Sequence, residues 1–191
     1  AISTKINWLN NDIKTRTEGN FNILTLFYSP NDFSTRFSDS YLYVSDTLWT
    51  INENNLIAYK KDKDVEVLIQ SLGISAGHQS ILIDGKISGK PTDQLDVALT
   101  NFNLYNIQKL IPENIIKIQG TINGVASIKK QENEVIFTSD LNFDKLNLNE
   151  TSIGNGQVKS TWSPADKRLS VDGQFYKGHL PTIIFKGDYY P

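Results

Sequence analysis

The chain has 191 residues, and its 19 basic and 21 acidic side chains leave a formal net charge of -2. Binding to nucleic-acid phosphates requires a basic patch or stripe, so this balance argues against a nucleic-acid partner. The hydrophobic fraction of 39% excludes a disordered chain, and no apolar run approaches the ~20 residues of a membrane-spanning helix. The sequence contains neither cysteine nor methionine. Because it lacks a starting methionine, we expect a segment cut from a longer protein.

Alternation of apolar and polar residues predicts that most of the chain forms β-strands. Between Phe33 and Ile51 the odd positions carry aromatic, β-branched and small residues, which is typical of one long strand or two joined strands. Turn residues separate the later runs, for example at Gly89–Asp93 and at Asn155-Gly156. The stretch 106–111 is compatible with a short helix that ends before a proline.

Three segments share the same interruption of this alternation. They begin at Val65, Leu95 and Ser139, and apolar or small residues stand at relative positions 0, 2, 4, 7 and 9 in each. A slip of one residue would turn the later side chains to the other face of the sheet. We therefore predict one extra residue, a β-bulge, near 70–71, 100–101 and 144–145.

Aligned bulges bend a sheet along a line and so predict a curved sheet with one apolar and one polar wall. The predicted fold class is all-β: a long, mostly antiparallel sheet, built from degenerate β repeats, that forms an open apolar groove. Periodicity alone leaves open whether the apolar wall stays open or closes on itself as a sandwich. The polar wall is expected to carry Glu66, Gln70, Asp96, Thr100 and Asn142.

The repeats predict a single elongated segment over 1–191, with possible sub-units at 1–60, 61–124 and 125–191. A repeated spacing at the two ends of the chain supports a segment cut from a longer array of repeats. Trp8 and Trp162 each stand eleven positions before a glycine. The candidate groove-lining residues occupy the apolar positions of the repeats and of the glycine-flanked strands that follow them. They are Val65, Val67, Ile69, Leu72, Ile74, Ile87, Leu95, Val97, Leu99, Phe102, Leu104, Ile118, Ile122, Leu141, Phe143, Leu146, Leu148 and Val158.

No group of residues has the spacing of a catalytic, metal or cofactor site. Asp140–Asp144 resembles the first half of a calcium loop, but Lys145 occupies the position of the required glycine. His78 and His179 are the two histidines, and neither stands in a cluster of metal ligands. There is no phosphate-binding loop and no serine nucleophile motif. We therefore expect a protein that is not an enzyme and that binds neither metal nor cofactor.

The repeated stretches resemble the TamB and AsmA-like family of bacterial envelope proteins. The resemblance is carried by "ILIDGKISG" with "LDVALTNFNL", by "IIKIQGTINGVASI" and by "FTSDLNFDKLNLNETSIGNGQVKSTW", and it is clearest from about Ile81 to the end of the chain. The glycine-proline strand breaks of the family are sparse here. The resemblance implies a long antiparallel sheet curled into a groove, a fold often called a β-taco.

The resemblance also implies a place and a role. It implies a segment of a periplasm-spanning protein, anchored in the inner membrane by a part outside this sequence, whose groove conducts phospholipid between the two membranes and supports outer-membrane biogenesis. The expected partners are phospholipid acyl chains and an outer-membrane barrel of the TamA type, and neither nucleic acid nor metal is expected. The alternative is a closed β-sandwich module that binds glycan or protein at a cell surface. A closed core needs interdigitating large and small residues, so the uniform Ile, Leu, Val and Phe of the wall favour the groove.

Overall fold

The computed structural model describes residues 1–12, 15–44, 47–108, 116–131 and 134–190. Within these ranges the chain forms 13 strands and one short helix, which confirms the predicted all-β class. The first seven strands are β1 (Ile2–Asp12), β2 (Thr15–Ser29), β3 (Asp32–Val44), β4 (Thr47–Ile51), β5 (Leu56–Lys61), β6 (Val65–Ala76) and β7 (Gln79–Ile87). The others are β8 (Gln94–Asn103), β9 (Ile118–Gln131), β10 (Glu134–Leu148), β11 (Thr151–Ser163), β12 (Arg168–Lys177) and β13 (Leu180–Tyr189).

The strands form one sheet in which neighbours along the chain are mostly neighbours in space. The order is β1-β2-β3-β4-β6-β7-β8-β9-β10-β11-β12-β13, and β5 pairs with β3 and β6. Short turns join most consecutive strands, and strands joined in this way pair antiparallel, except that β4 and β5 pair with β3 and β6 and not with each other. The helix α1 covers Tyr105–Gln108, so the expected helix at 106–111 is present at 106–108, and 109–111 lie outside the described residues.

The chain divides into two compact units. The first unit comprises Ala1–Val97 with Lys129–Asn133, and the second comprises Ala98–Ile128 with Glu134–Pro191. The finer sub-units suggested by the repeats stay a prediction.

The three predicted bulges are present where the sequence predicted them. Ser71, Asn101 and Lys145 have φ values of 50°, 48° and 52°, which are uncommon for residues other than glycine. The register of β6 against β7 shifts across Ser71, and the register of β10 against β11 shifts across Lys145. Leu99 and Leu104 lie on either side of Asn101 and belong to one apolar cluster. The extra residue therefore keeps the later apolar side chains on the original face.

A fourth bulge lies in β3, where the sequence predicted uninterrupted alternation. Asp39 has a φ of 43°, and the register of β2 against β3 shifts there. Phe37 consequently shares its face with Leu42, and the prediction that it shares a face with Tyr41 is wrong. The strand is a fourth copy of the repeat that begins at Phe33, with its left-handed residue six positions later, as in the other three copies.

Each predicted bulge is held by an Asp or Asn side chain of the strand that follows. The pairs of backbone N–H donor and side-chain Oδ1 acceptor are Ser71–Asp84, Asn101–Asn123 and Lys145–Asn155, with N···O distances of 2.7, 2.7 and 2.9 Å. The acceptor satisfies an N–H group that the bulge removes from the regular ladder. A glycine follows the acceptor in all three copies, so an Asx-Gly pair marks this corner in the sequence.

The turn predicted at Asn155-Gly156 is wrong, because both residues lie inside β11. An Asn-Gly pair is typical of hairpin turns, but Asn155 here holds a bulge of β10. Gly156 faces Phe175, and a Cβ atom at Gly156 would collide with the ring of that residue.

The Trp-to-Gly spacing that recurs at the two ends of the chain corresponds to different strand pairings in the sheet. Trp8 lies directly opposite Gly19 on β2. Trp162 lies opposite Leu169 on β12, while Gly173 lies opposite Val158. The equal spacing in the sequence therefore does not reflect an equal position in the sheet.

We expect Asp84→Ala to lower the free energy of unfolding by about 1–3 kcal/mol, because the Ser71 N–H loses a charged acceptor. Asp84→Asn keeps an acceptor oxygen at this position, as Asn123 and Asn155 do, and should retain most of the stability. Urea unfolding followed by circular dichroism compares the two variants. An equal loss for both would contradict the hydrogen bond as the source of the stability.

Candidate functional site

The first unit carries a largely apolar face, which we call the apolar wall and which is interrupted by the hydrogen-bonded pair Thr25 and Thr35. Residues directly opposite one another on neighbouring strands lie on one face of a sheet, so the strand register identifies its members. One row of the wall crosses β2, β3, β5, β6 and β7. It consists of Phe27, Phe33, Tyr59, Val67 and Ile87.

The wall continues on the other side of the bulge in β6. There Leu72 lies opposite Ile83, and Ile74 lies opposite both Ile51 and Ile81. The extra residue of the bulge keeps these side chains on the face of the first row. The apolar wall therefore extends along the strands on both sides of the bend.

Aromatic rings pack along the wall near its N-terminal strands. The Phe33 ring stacks on Tyr59 with centroids 5.1 Å apart, and the Phe27 ring lies 5.8 Å from Phe33. Trp8 and Phe21 lie 5.1 Å apart. Such spacings are typical of favourable aromatic pairs. The sequence analysis missed these residues, although the apolar alternation of β2 and β3 was a signal for them.

The predicted positions on β6 and β7 lie on this wall and are only partly covered. Val65, at the start of β6, is 45% exposed. The other candidates of this unit are half-buried: Val67, Ile69, Leu72, Ile74, Ile87, Leu95 and Val97. Large aliphatic side chains at this degree of exposure offer an accessible surface to an apolar ligand.

In the second unit the apolar positions form a packed cluster. Its buried members are Leu104, Ile122, Leu146, Ile153 and Phe175. Partly buried side chains pack against them, namely Leu99, Ile118, Leu141, Phe143, Leu148, Val158 and Ile183. Phe102 is buried but is not part of this cluster. The sequence analysis missed Ile153, Phe175 and Ile183, although Phe175 and Ile183 stand in alternating strands.

The face opposite the wall is polar at the predicted positions. In the first unit Gln70 is exposed, and Glu66 and Asp96 are half-buried. In the second unit Thr100 and Asn142 are exposed.

Several apolar side chains of the first unit also lie on this polar face, among them Leu24, Leu26 and Leu48, which lie opposite Arg36, Ser34 and Tyr43. Leu68 is 36% exposed and lies opposite Lys86, and Leu82 is 41% exposed and lies opposite Gly73. Exposure of an apolar side chain therefore does not by itself identify the wall.

No protein-family model, curated protein or solved structure matches this chain. The resemblance to TamB and AsmA-like proteins rests on the sequence pattern alone.

A network of charges on the polar face ties β6, β7 and the turn that follows. Lys86 Nζ lies 2.9 Å from Glu66 Oε2 and 3.7 Å from Asp93 Oδ2. The buried Ser88 hydroxyl donates to the same Asp93 oxygen at 2.7 Å. The hydrogen bond between Lys86 and Glu66 lowers the pKa of Glu66 and raises the pKa of Lys86. The hydrogen bond from Ser88 lowers the pKa of Asp93.

These pKa shifts predict a contribution to stability that is complete between about pH 5 and pH 10. Because the pKa values of Glu66 and Asp93 are lowered by folding, their contribution is lost as the pH falls through the folded values. Because the pKa of Lys86 is raised, its contribution is lost as the pH rises through the folded value. Thermal unfolding from pH 2 to pH 9 should show a shallower acid loss in Lys86→Met. If Lys86→Met loses as much stability at low pH as the parent chain, that loss comes from other carboxylates.

Within the described ranges of the chain, no three or more His, Asp or Glu side chains are placed to hold a metal ion. No helix in these ranges is long and apolar enough to cross a membrane. Trp49 is buried on the wall, while Tyr41 and Tyr43 lie on the opposite face.

Proposed function

We propose that the apolar wall binds and conducts phospholipid acyl chains in a non-enzymatic segment of a TamB and AsmA-like protein. The observation that carries this proposal is the partly exposed apolar face that continues across β2, β3, β5, β6 and β7, aromatic at Phe27, Phe33 and Tyr59 and aliphatic at Val67 and Ile87. An acyl chain on such a surface gains about 0.8 kcal/mol for each buried CH₂ group. The periplasmic location, the inner-membrane anchor and the TamA-type partner belong to the same proposal and come from the resemblance.

The chemistry of the wall suits passage better than tight binding. Ile and Val side chains are stiff at χ1 and present methyl groups, and the row Ile51, Ile74 and Ile81 contains no polar atom beyond the backbone. A chain of CH₂ groups meets the same chemistry at each step along such a surface. The acyl chain is therefore held by the apolar area that it buries against the wall, and it can slide without breaking a directional contact.

The proposal assigns lipid contact to the first unit. In the second unit Leu104 is 2% exposed, Leu146 5% and Ile122 6%, which is typical of a filled core. This packing is the observation that favours the alternative, a closed binding module, for that part of the chain. Only the half-buried side chains at its margin, such as Leu141, are accessible to a ligand.

Photo-crosslinking at two adjacent residues tests the proposal. A benzophenone side chain at Ile83 lies on the wall, whereas the same group at Leu82 lies on the polar face and starts from the more exposed residue. With the purified chain and phosphatidylethanolamine–phosphatidylglycerol vesicles, we expect lipid adducts at Ile83 and few at Leu82. A crosslinking yield that alternates along β7 would show that lipid contact depends on the face of the sheet and not on the exposed fraction of the side chain.

Equal yields at the two positions, or a higher yield at Leu82, would reject the wall as the lipid-binding surface. Ile74 provides a second wall position on β6, in case the benzophenone group at Ile83 perturbs β7. Circular dichroism of each labelled protein checks that the sheet is retained.

A further inference from the structure

A cavity of about 630 Å³ lies on the polar face of the second unit, where β10, β11 and β12 pass the bend. Its lining residues are Lys145, Ser152, Gly154, Asn155, Gly156, Gln157, Gln174, Tyr176, Lys177 and Gly178. Two cross-strand pairs form part of the lining, Asn155 with Tyr176 and Gln157 with Gln174. The cavity is therefore built on the face opposite the packed apolar cluster.

The charge of this lining is one-sided. The charged residues of the lining are Lys145 and Lys177, and neither Asp nor Glu is among the lining residues. Neither lysine forms an ion pair with a described carboxylate. The neighbouring Asp140 carboxylate is occupied, since it accepts from Gln157 Nε2 at 2.7 Å and lies 3.4 Å from Lys159 Nζ. Asp144 lines the adjacent cavity of about 370 Å³.

The amide side chains of the lining also present donors. Gln174 Oε1 accepts from the Tyr176 hydroxyl at 3.0 Å, and Asn155 Oδ1 accepts from the Lys145 N–H at 2.9 Å. Their acceptor oxygens are thus engaged, and their NH₂ groups donate to no described protein group. Two ammonium groups and two amide donors together favour an anion.

The position of Lys145 is held by the backbone. Its φ of 52° places it in the bulge, and its N–H is bound by Asn155. Its carbonyl oxygen accepts from Asn147 Nδ2 at 2.9 Å. Because both backbone groups are held by side chains, the ammonium stem starts from a fixed point beside the cavity.

We propose that this cavity binds a phosphorylated sugar. The phosphate group accounts for the two unpaired ammonium groups, and the sugar hydroxyls account for the amides and the partly exposed Tyr176 ring. The volume is about 630 Å³, and most of the lining residues are exposed, so the ligand would lie in an open depression. The ligand chemistry is a phosphate monoester on a polyhydroxylated ring, either as a free sugar phosphate or as a lipid headgroup.

Isothermal titration calorimetry of the purified chain with glucose 6-phosphate tests this site. We expect binding that weakens at least tenfold in Lys145→Gln and in Lys177→Gln. The matched control is Lys117→Gln, because Lys117 is a 59% exposed lysine of the same unit that pairs with Glu150, and it should leave the affinity unchanged. Titration with vesicles carrying phosphatidylinositol 4-phosphate separates the two sources of the ligand, and either source supports the site.

Three results would overturn the proposal. Equal affinity for inorganic phosphate would reveal an adventitious ion only, and full binding by the Lys145→Gln/Lys177→Gln double variant would place the ligand elsewhere. A comparable loss in Lys117→Gln would show an unspecific effect of net charge. The site does not depend on the lipid proposal, since it lies in the other unit.

Discussion

Leu104→Ala is expected to lower the free energy of unfolding by about 3–5 kcal/mol. The Leu104 side chain is 2% exposed and belongs to the buried cluster of the second unit. Truncation removes its transfer free energy and leaves a cavity that the surrounding strands fill only in part. Its N–H donates to the Gly120 carbonyl at 2.9 Å, and its carbonyl accepts from Gln108. Alanine keeps both backbone bonds, so the loss reports packing alone.

Ile184→Ala is the matched control, because Ile184 is 65% exposed on β13 of the same unit. We expect its effect to stay within about 0.5 kcal/mol. Urea unfolding followed by tryptophan fluorescence and by circular dichroism compares both variants with the parent chain. A loss below about 1 kcal/mol for Leu104→Ala would mean that the cluster is loosely packed, and that the second unit is as open as the first.

Gly124→Ala should cost about 3 kcal/mol or more, through backbone strain and a steric collision. Gly124 on β9 has a φ of 144°, a conformation that residues with a side chain rarely adopt. A Cβ atom there would collide with the carbonyl oxygen of Asp140 and press on the Cα of Leu141 on β10. The contacted atoms are backbone, so relief requires that β9 and β10 move apart. The adjacent Asn123 would then lose its position over the bulge at Asn101.

Gly187→Ala separates this effect from the general cost of replacing a glycine in a strand. Gly187 on β13 has no positive φ, and a Cβ atom there would meet no atom within 4 Å. We expect its stability to match the parent chain within about 0.5 kcal/mol. Hydrogen exchange of the β9 and β10 amides should accelerate in Gly124→Ala alone. Similar stabilities for the two glycine variants would contradict the close approach of β9 and β10.

The bulges at Ser71, Asn101 and Lys145 were predictable because alternation is a local property of the chain. A period of two that slips by one residue either abandons its face or inserts a residue, and burial of the face excludes the first outcome. The bulge at Asp39 follows the same rule, but Tyr41 continued the odd-numbered alternation across it and concealed the slip. Recognising it required the register of β3 against β2.

The role of the Asx-Gly pairs could not be predicted from the local sequence pattern. Asn155-Gly156 carries the composition of a hairpin turn, yet Asn155 binds a bulge residue ten positions earlier in the chain. That partner is identified by the pairing of β10 with β11 and by nothing within the dipeptide. In the other copies, the corresponding pairings of β6 with β7 and of β8 with β9 identify the partners of Asp84 and Asn123.

The sequence by itself determined the all-β class, and in the three predicted repeats it determined the apolar face and the position of the bend, because each depends on neighbouring residues along one strand. Only the tertiary structure decided how deeply that face is buried. The same aliphatic pattern is half-buried at Val67 and Ile74 in the first unit and buried at Leu146 in the second. The reason is that burial depends on partners from distant strands. Phe175 of β12, whose ring lies 5.5 Å from the ring of Phe143 on β10, helps to cover the apolar face of the second unit.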